Sequence, residues 1–172
     1  VMLLSLMIVP SISVNAADAA ITVDGDVSEW TGWVTVSAAD NVSTNGTVQN
    51  TTPYKLNHSY QYAIKVIDDM LYVAVKQPQA AVASPEGEAV AQTNCTNVRL
   101  WIDNDMSTAA RSALFDFGFD GTKVVESRAN NDGTNKIAST AAGKSGEDGY
   151  AVEIAIKASD LGLGKVFGYA LT

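Results

Sequence analysis

The sequence predicts an all-β fold, an antiparallel β-sandwich of jelly-roll type. Three observations carry the prediction. Apolar residues recur with period two in run after run, the spacing of a half-buried strand. Gly, Asn and Asp clusters punctuate the runs at about 8–12 residue intervals. No long stretch shows helical periodicity. The one cysteine, Cys95, rules out an internal disulfide, so packing alone must hold the core.

The runs follow in order. AITVDG gives a first strand, with Ile21 and Val23 facing one way. WVTVSA gives a second, Trp33 and Thr35 on one face and Val34 and Val36 on the other. YQYAIKVIDDMLYVAVKQ reads as two strands around an Asp68-Asp69 turn. Residues 40–59 and 77–93 read as loops. NVRLWID is a strand, and RSALFDFGFDG another, with Phe115, Phe117 and Phe119 sharing a face. TKVVES pairs back after Asp120-Gly121, and the Asn-, Gly- and Ser-rich 129–149 reads as loop. GYAVEIAIK is a strand leading to a short turn, and KVFGYALT begins a last one. The shared phase puts Ile64, Val66, Val73, Leu100, Ile102, Phe117, Val152, Ile154 and Ile156 in the core.

The 172 residues suffice for one domain with a real core. A net charge of −8 with only 11 Lys+Arg argues against nucleic acid. It suits a soluble surface or a hard cation such as calcium. Residues 1–16 carry an apolar run, a proline and small residues at 14 and 16, the pattern of a secretory signal cleaved before Ala17. The run is too short to span a membrane, so the exported protein, residues 17–172, is expected to be extracellular or on the cell surface and free of the membrane. The basic n-region is missing and the chain stops inside a strand, so both ends read as cut. An uncleaved apolar strand or helix of the fold is the alternative. Export also suits the N-glycosylation triplets at Asn41, Asn45, Asn50, Asn57 and Asn94, which an Asn/Thr-rich loop would equally produce by accident.

Taken together, ITVDGDVSEW, YAIKVIDDMLYVAVK, VRLWIDND, GYAVEIAIKASDLGL and FGYALT resemble, in order and spacing, family 9 carbohydrate-binding modules and their DOMON-superfamily relatives. The resemblance covers about residues 21–171, without loops 37–59 and 77–96. It implies a secreted β-sandwich, a sugar ligand and, in many relatives, structural calcium. Ile67 stands where sugar-binding members often carry an aromatic before the Asp-Asp turn. Lys157 stands where a proline is usual. A further aromatic contact of the family would fall beyond residue 172.

Sugar modules lay an aromatic ring against a pyranose and hydrogen-bond its hydroxyls with nearby polar groups. Trp101 is the leading ring, because alternation puts Arg99 and Asp103 on its own face, opposite Leu100 and Ile102. Tyr62 is expected beside it. The alternative is a core Trp101, since tryptophans are usually well buried. Trp30 sits at the structural position of the resemblance, and Trp33 is close behind. Oxygen-rich turns at Asp103, Asn104 and Asp105, and at Asp24 and Asp26, are candidate calcium ligands; solvated turns explain them equally.

Catalysis has little support, since the plentiful paired carboxylates are what any acidic protein carries. His58 and Cys95 sit in no nucleophile motif, and no G-x-S-x-G, P-loop or zinc spacing occurs. The expected function is a secreted, non-catalytic carbohydrate-binding module, part of a larger extracellular enzyme or surface protein, with a polysaccharide or glycan as partner. Competing readings are a sheath or filament subunit in which residues 1–14 complete a neighbour's sheet, a haem b protein using Met70, Met106 or His58, and a glycoside hydrolase.

Overall fold

The computed structural model describes residues 20–37, 42–43, 54–55, 59–90, 94–104, 106, 112–129 and 137–171. The strands are β1 (Val34–Val36), β2 (Val42–Ser43), β3 (Tyr54–Lys55), β4 (Tyr60–Ile67), β5 (Met70–Gln77), β6 (Thr96–Asp103), β7 (Ala113–Phe119), β8 (Val124–Ala129), β9 (Ser139–Gly146), β10 (Gly149–Lys157) and β11 (Gly168–Leu171). One helical turn, α1 (Ala158–Leu161), precedes β11. All pairings are antiparallel. A five-stranded sheet runs β1-β4-β5-β10-β9 and a four-stranded sheet runs β11-β6-β7-β8, with β2-β3 a separate ribbon. The chain is the all-β sandwich that its alternation predicts.

Period-two burial builds the core between the sheets. Leu71, Val73, Val75, Val152, Ile154 and Ile156 from one sheet meet Val98, Leu100, Ile102, Phe115, Phe117 and Phe119 from the other. Each such side chain stabilises the fold by about 1.5–3 kcal/mol relative to exposure. Phe115 and Phe117 stack with centroids 6.2 Å apart. Both sides of the sandwich are tied. Ser139 of β9 donates to Glu126 of β8 on one side. On the other, Tyr60 OH donates to the Leu171 carbonyl at 3.4 Å, and the Tyr62 and Tyr169 hydroxyls stand 3.2 Å apart.

Two expected core residues differ. Ile64 is half-buried. Val66 is 49% exposed, although it shares the inward phase. The cause is its place at the sheet edge: β1 pairs with Tyr60–Tyr62, and among the described residues no strand flanks the end of β4 near the Asp68-Asp69 turn on that side.

The expected first strand is not one. Residues 20–33 run as irregular chain over the outer face of the five-stranded sheet, where Ile21 and Trp30 pack on Ala63 and Ala74. Their backbone is satisfied by side chains instead of a ladder. Thr22 N–H donates to Glu29, and the Asp24 and Gly25 N–H groups donate to Glu153 at 3.1 and 2.6 Å.

Conversely, part of the expected loop 129–149 is β9, paired with β10 along its length. STAAGKSG carries no bulky apolar residue because two neighbours approach it closely. A Cβ on Gly143 would lie 2.7 Å from the Phe119 ring, and one on Gly25 would lie 2.7 Å from the Gly143 carbonyl carbon. The expected loop 40–59 also holds the short β2-β3 pair. No helix among the described residues is long and apolar enough to cross a membrane.

Candidate ligand-binding surface

Trp101 lies on the outer face of the four-stranded sheet. Its strand neighbours Leu100 and Ile102 are 0% and 1% exposed in the core, so alternation sends the indole the other way. The ring is half-buried. Register sets it between Leu114 of β7 and Ala170 of β11. Leu114 is buried, which gives the indole an apolar neighbour.

Arg99 sits one pair along, directly opposite Asp116. Its Nε donates to Asp116 Oδ1 at 2.5 Å and its Nη2 to Oδ2 at 3.4 Å. Asp116 is fully buried while Arg99 keeps 34% of its side chain exposed. A buried carboxylate needs such a partner. The guanidinium therefore has a structural task on the face that also carries the indole. Asp103 closes the strand and accepts the Met106 N–H at 3.1 Å. The surface thus combines a half-open aromatic ring, a fixed guanidinium and a carboxylate.

Tyr62 does not join it. Tyr60 and Tyr62 belong to the five-stranded sheet and pack against the central core. Tyr62 meets Tyr169 where β4 faces β11, with centroids 5.9 Å apart, and Tyr169 in turn packs beside Phe167. The expected neighbourhood of Trp101 and the Tyr60–Tyr62 strand is therefore wrong, because the strands lie in different sheets. At this edge, desolvation pushes the Tyr169 hydroxyl well above the ordinary tyrosine range, and the hydrogen bond it shares with Tyr62 adds to the rise.

The acidic turns hold backbone. Asp24 Oδ1 accepts the Asp26 N–H at 2.8 Å, and Asp26 Oδ1 accepts the Ser28 N–H at 3.1 Å. Hydrogen bonds from Ser28 and then the Lys144 charge hold the Asp26 carboxyl below the usual carboxylate range. Asn104 bonds Ser112 and the Leu161 carbonyl. Asp105 lies outside the described residues. Among the described residues, no three His, Cys, Asp or Glu side chains stand together as a metal cluster.

Of the haem candidates, Met70 opens β5, Met106 is 56% exposed after β6, and His58 is outside the described residues. So are Asn41, Asn45, Asn50 and Asn57. Asn94 is described, and its amide donates to Glu88 and to the Ala89 carbonyl at 3.0 and 2.9 Å.

Residues that suggested a resemblance meet in three dimensions. Glu153 is fully buried under the N-terminal segment. Its Oε1 accepts the Trp30 indole N–H at 2.6 Å and its Oε2 accepts the Asp24 and Gly25 N–H groups. Burial raises its proton affinity, and the bonds from Trp30, Gly25 and Asp24 oppose the rise. Gly25 takes φ +86°, which suits glycine, and turns the chain into the carboxylate. Trp30 and Glu153 thus form a clasp that holds the segment on the sheet. The signal in the sequence was one acid inside the apolar run AVEIAI. The Asp160-Leu161-Gly162 turn ends α1, with Gly162 in the left-handed cap. Asp69 accepts from both the Ser159 N–H and hydroxyl, at 2.9 and 2.7 Å, so the Asp68-Asp69 turn holds the start of that helix.

No protein-family model matches the chain, and no curated protein matches it at a significant level.

Proposed function

We propose that this protein is a non-catalytic glycan-binding module, exported from the cell, whose ligand stacks on Trp101. The observation that carries the reading is the half-open indole on an outer sheet face, with Arg99 fixed beside it by Asp116. An aromatic ring offers an apolar plane for the C–H face of a pyranose. A guanidinium held by Asp116 has little side-chain freedom left to lose when a ligand settles beside it. The Trp30–Glu153 clasp supports the same reading indirectly: it gives the resemblance motif a folding role, which leaves ligand contact to other residues. Export rests on the apolar, small-residue pattern of residues 1–16.

The test is a glycan array probed with the protein and with Trp101→Ala. Binding by the parent and its loss in a folded variant supports the reading. Equal binding by both removes Trp101 from the site. No binding by the parent removes the function.

A further inference from the structure

We propose that the outer face of the five-stranded sheet carries a second glycan-contact site, a cleft taking a short, uncharged, linear oligosaccharide. The inference rests on the glycan-binding reading and adds a surface that the reading does not use.

The floor of the cleft is one complete cross-strand row. Thr35 pairs with Gln61, Gln61 with Lys76, Lys76 with Ala151, and Ala151 with Lys144. Partners in register share a face, and this row lies on the face away from the core, because Val75 and Val152 point inward. Five strands at about 4.8 Å make the row about 19 Å long. The shallow, solvent-open cleft above it has a volume of about 790 Å³, within the range of small-ligand sites. The N-terminal turn at Gly25–Val27 forms one wall, and the β9–β10 hairpin at Glu147 and Asp148 another. The Trp30–Glu153 clasp holds the first wall in place.

The chemistry of the lining selects the ligand class. Gln61 donates to the Thr35 hydroxyl at 3.0 Å, so its amide is oriented along the floor. Lys76 Nζ lies 4.0 Å from the centroid of the Trp33 ring, which keeps the ammonium at the cleft instead of ranging in solvent. The Trp33 ring is itself fixed by its N–H bond to the Trp30 carbonyl at 3.2 Å. Lys144 pairs with Asp26 at 3.2 Å. Two lysines face the three acids Asp26, Glu147 and Asp148, so the lining offers no excess positive charge to a polyanion. One hydroxyl, one amide and two ammonium groups along the row, between short acidic walls, fit a polyhydroxylated neutral chain. Ala151, between Lys76 and Lys144, leaves depth that a larger side chain would fill.

The cleft and Trp101 lie on the outer faces of opposite sheets, which are about 10 Å apart backbone to backbone. A tetrasaccharide on one face therefore leaves the other free, and the two sites are separable.

The test is amide chemical-shift mapping of the protein with maltotetraose, cellotetraose and mannotetraose, repeated on Trp101→Ala and on the double variant Gln61→Ala/Lys76→Ala. The inference predicts shifts at Gln61, Lys76 and Lys144 with at least one probe. These persist in Trp101→Ala and weaken at least tenfold in the double variant, whose spectrum otherwise stays that of the folded parent. Shifts confined to the surroundings of Trp101 overturn the inference and leave the glycan reading standing. Cleft shifts that the double variant retains at full affinity overturn the assignment to this row. No shift on either face with any probe overturns the inference together with the reading it rests on.

Discussion

Glu153 shows how one residue can govern a segment. A fully buried carboxylate accepting three N–H bonds ties residues 24–30 to the sheet. Glu153→Gln keeps the shape but turns one acceptor oxygen into a donor facing N–H groups. The expected cost is roughly 1–3 kcal/mol, the penalty of an unmatched buried polar group. The pH dependence carries a sign. The folded proton affinity is raised above the ordinary value of 4.5. Its contribution is therefore complete below that pH and is lost as pH rises through the folded value. Glutamine does not titrate, so the stability lead of the parent over Glu153→Gln should shrink as pH rises. Urea titrations across that range check it, and a constant lead would contradict it. Trp101 belongs to the same scale. Alternation was enough to place it opposite Leu100 and Ile102. The buried partner of Arg99 was not visible, because strand register decides that Asp116 stands across from it.

At the scale of the element, legibility followed side-chain bulk. The strands β4, β5, β6, β7 and β10 were readable because β-branched and aromatic residues alternate in them. β9 was not, since SerThrAlaAlaGlyLysSerGly resembles loop composition. Its small residues answer to neighbours distant in sequence, Phe119 on one side and the Gly25 turn on the other. Gly143→Val should therefore destabilise by roughly 1–3 kcal/mol through overpacking, read as a fall in melting temperature. A neutral result would mean that β9 shifts freely. Ile154→Ala, in the middle of β10, should cost roughly 2–5 kcal/mol, measured by denaturant unfolding, since Ile154 is fully enclosed. The N-terminal run erred the other way. AITVDG alternates like a strand, yet its N–H groups bond to carboxylates, which no periodicity announces.

For the whole molecule, the central distinction is between an inner core and two outer faces. The core closes on both sides, through β8 with β9 and through the Tyr60, Tyr62 and Tyr169 contacts. The sequence revealed the sandwich but not which strands share a sheet, so Tyr62 was expected beside Trp101 and stands elsewhere. The outer faces are where ligand chemistry is available, and Trp101 is the ring on which the proposed function depends. The most direct measurement follows glycan affinity and unfolding free energy of Trp101→Ala in the same preparation. The account predicts at least a tenfold loss of affinity for the glycan that stacks there, with a stability change well below the roughly 3–5 kcal/mol of a core tryptophan. A loss of that full size, or a folded variant that binds as the parent does, would contradict it.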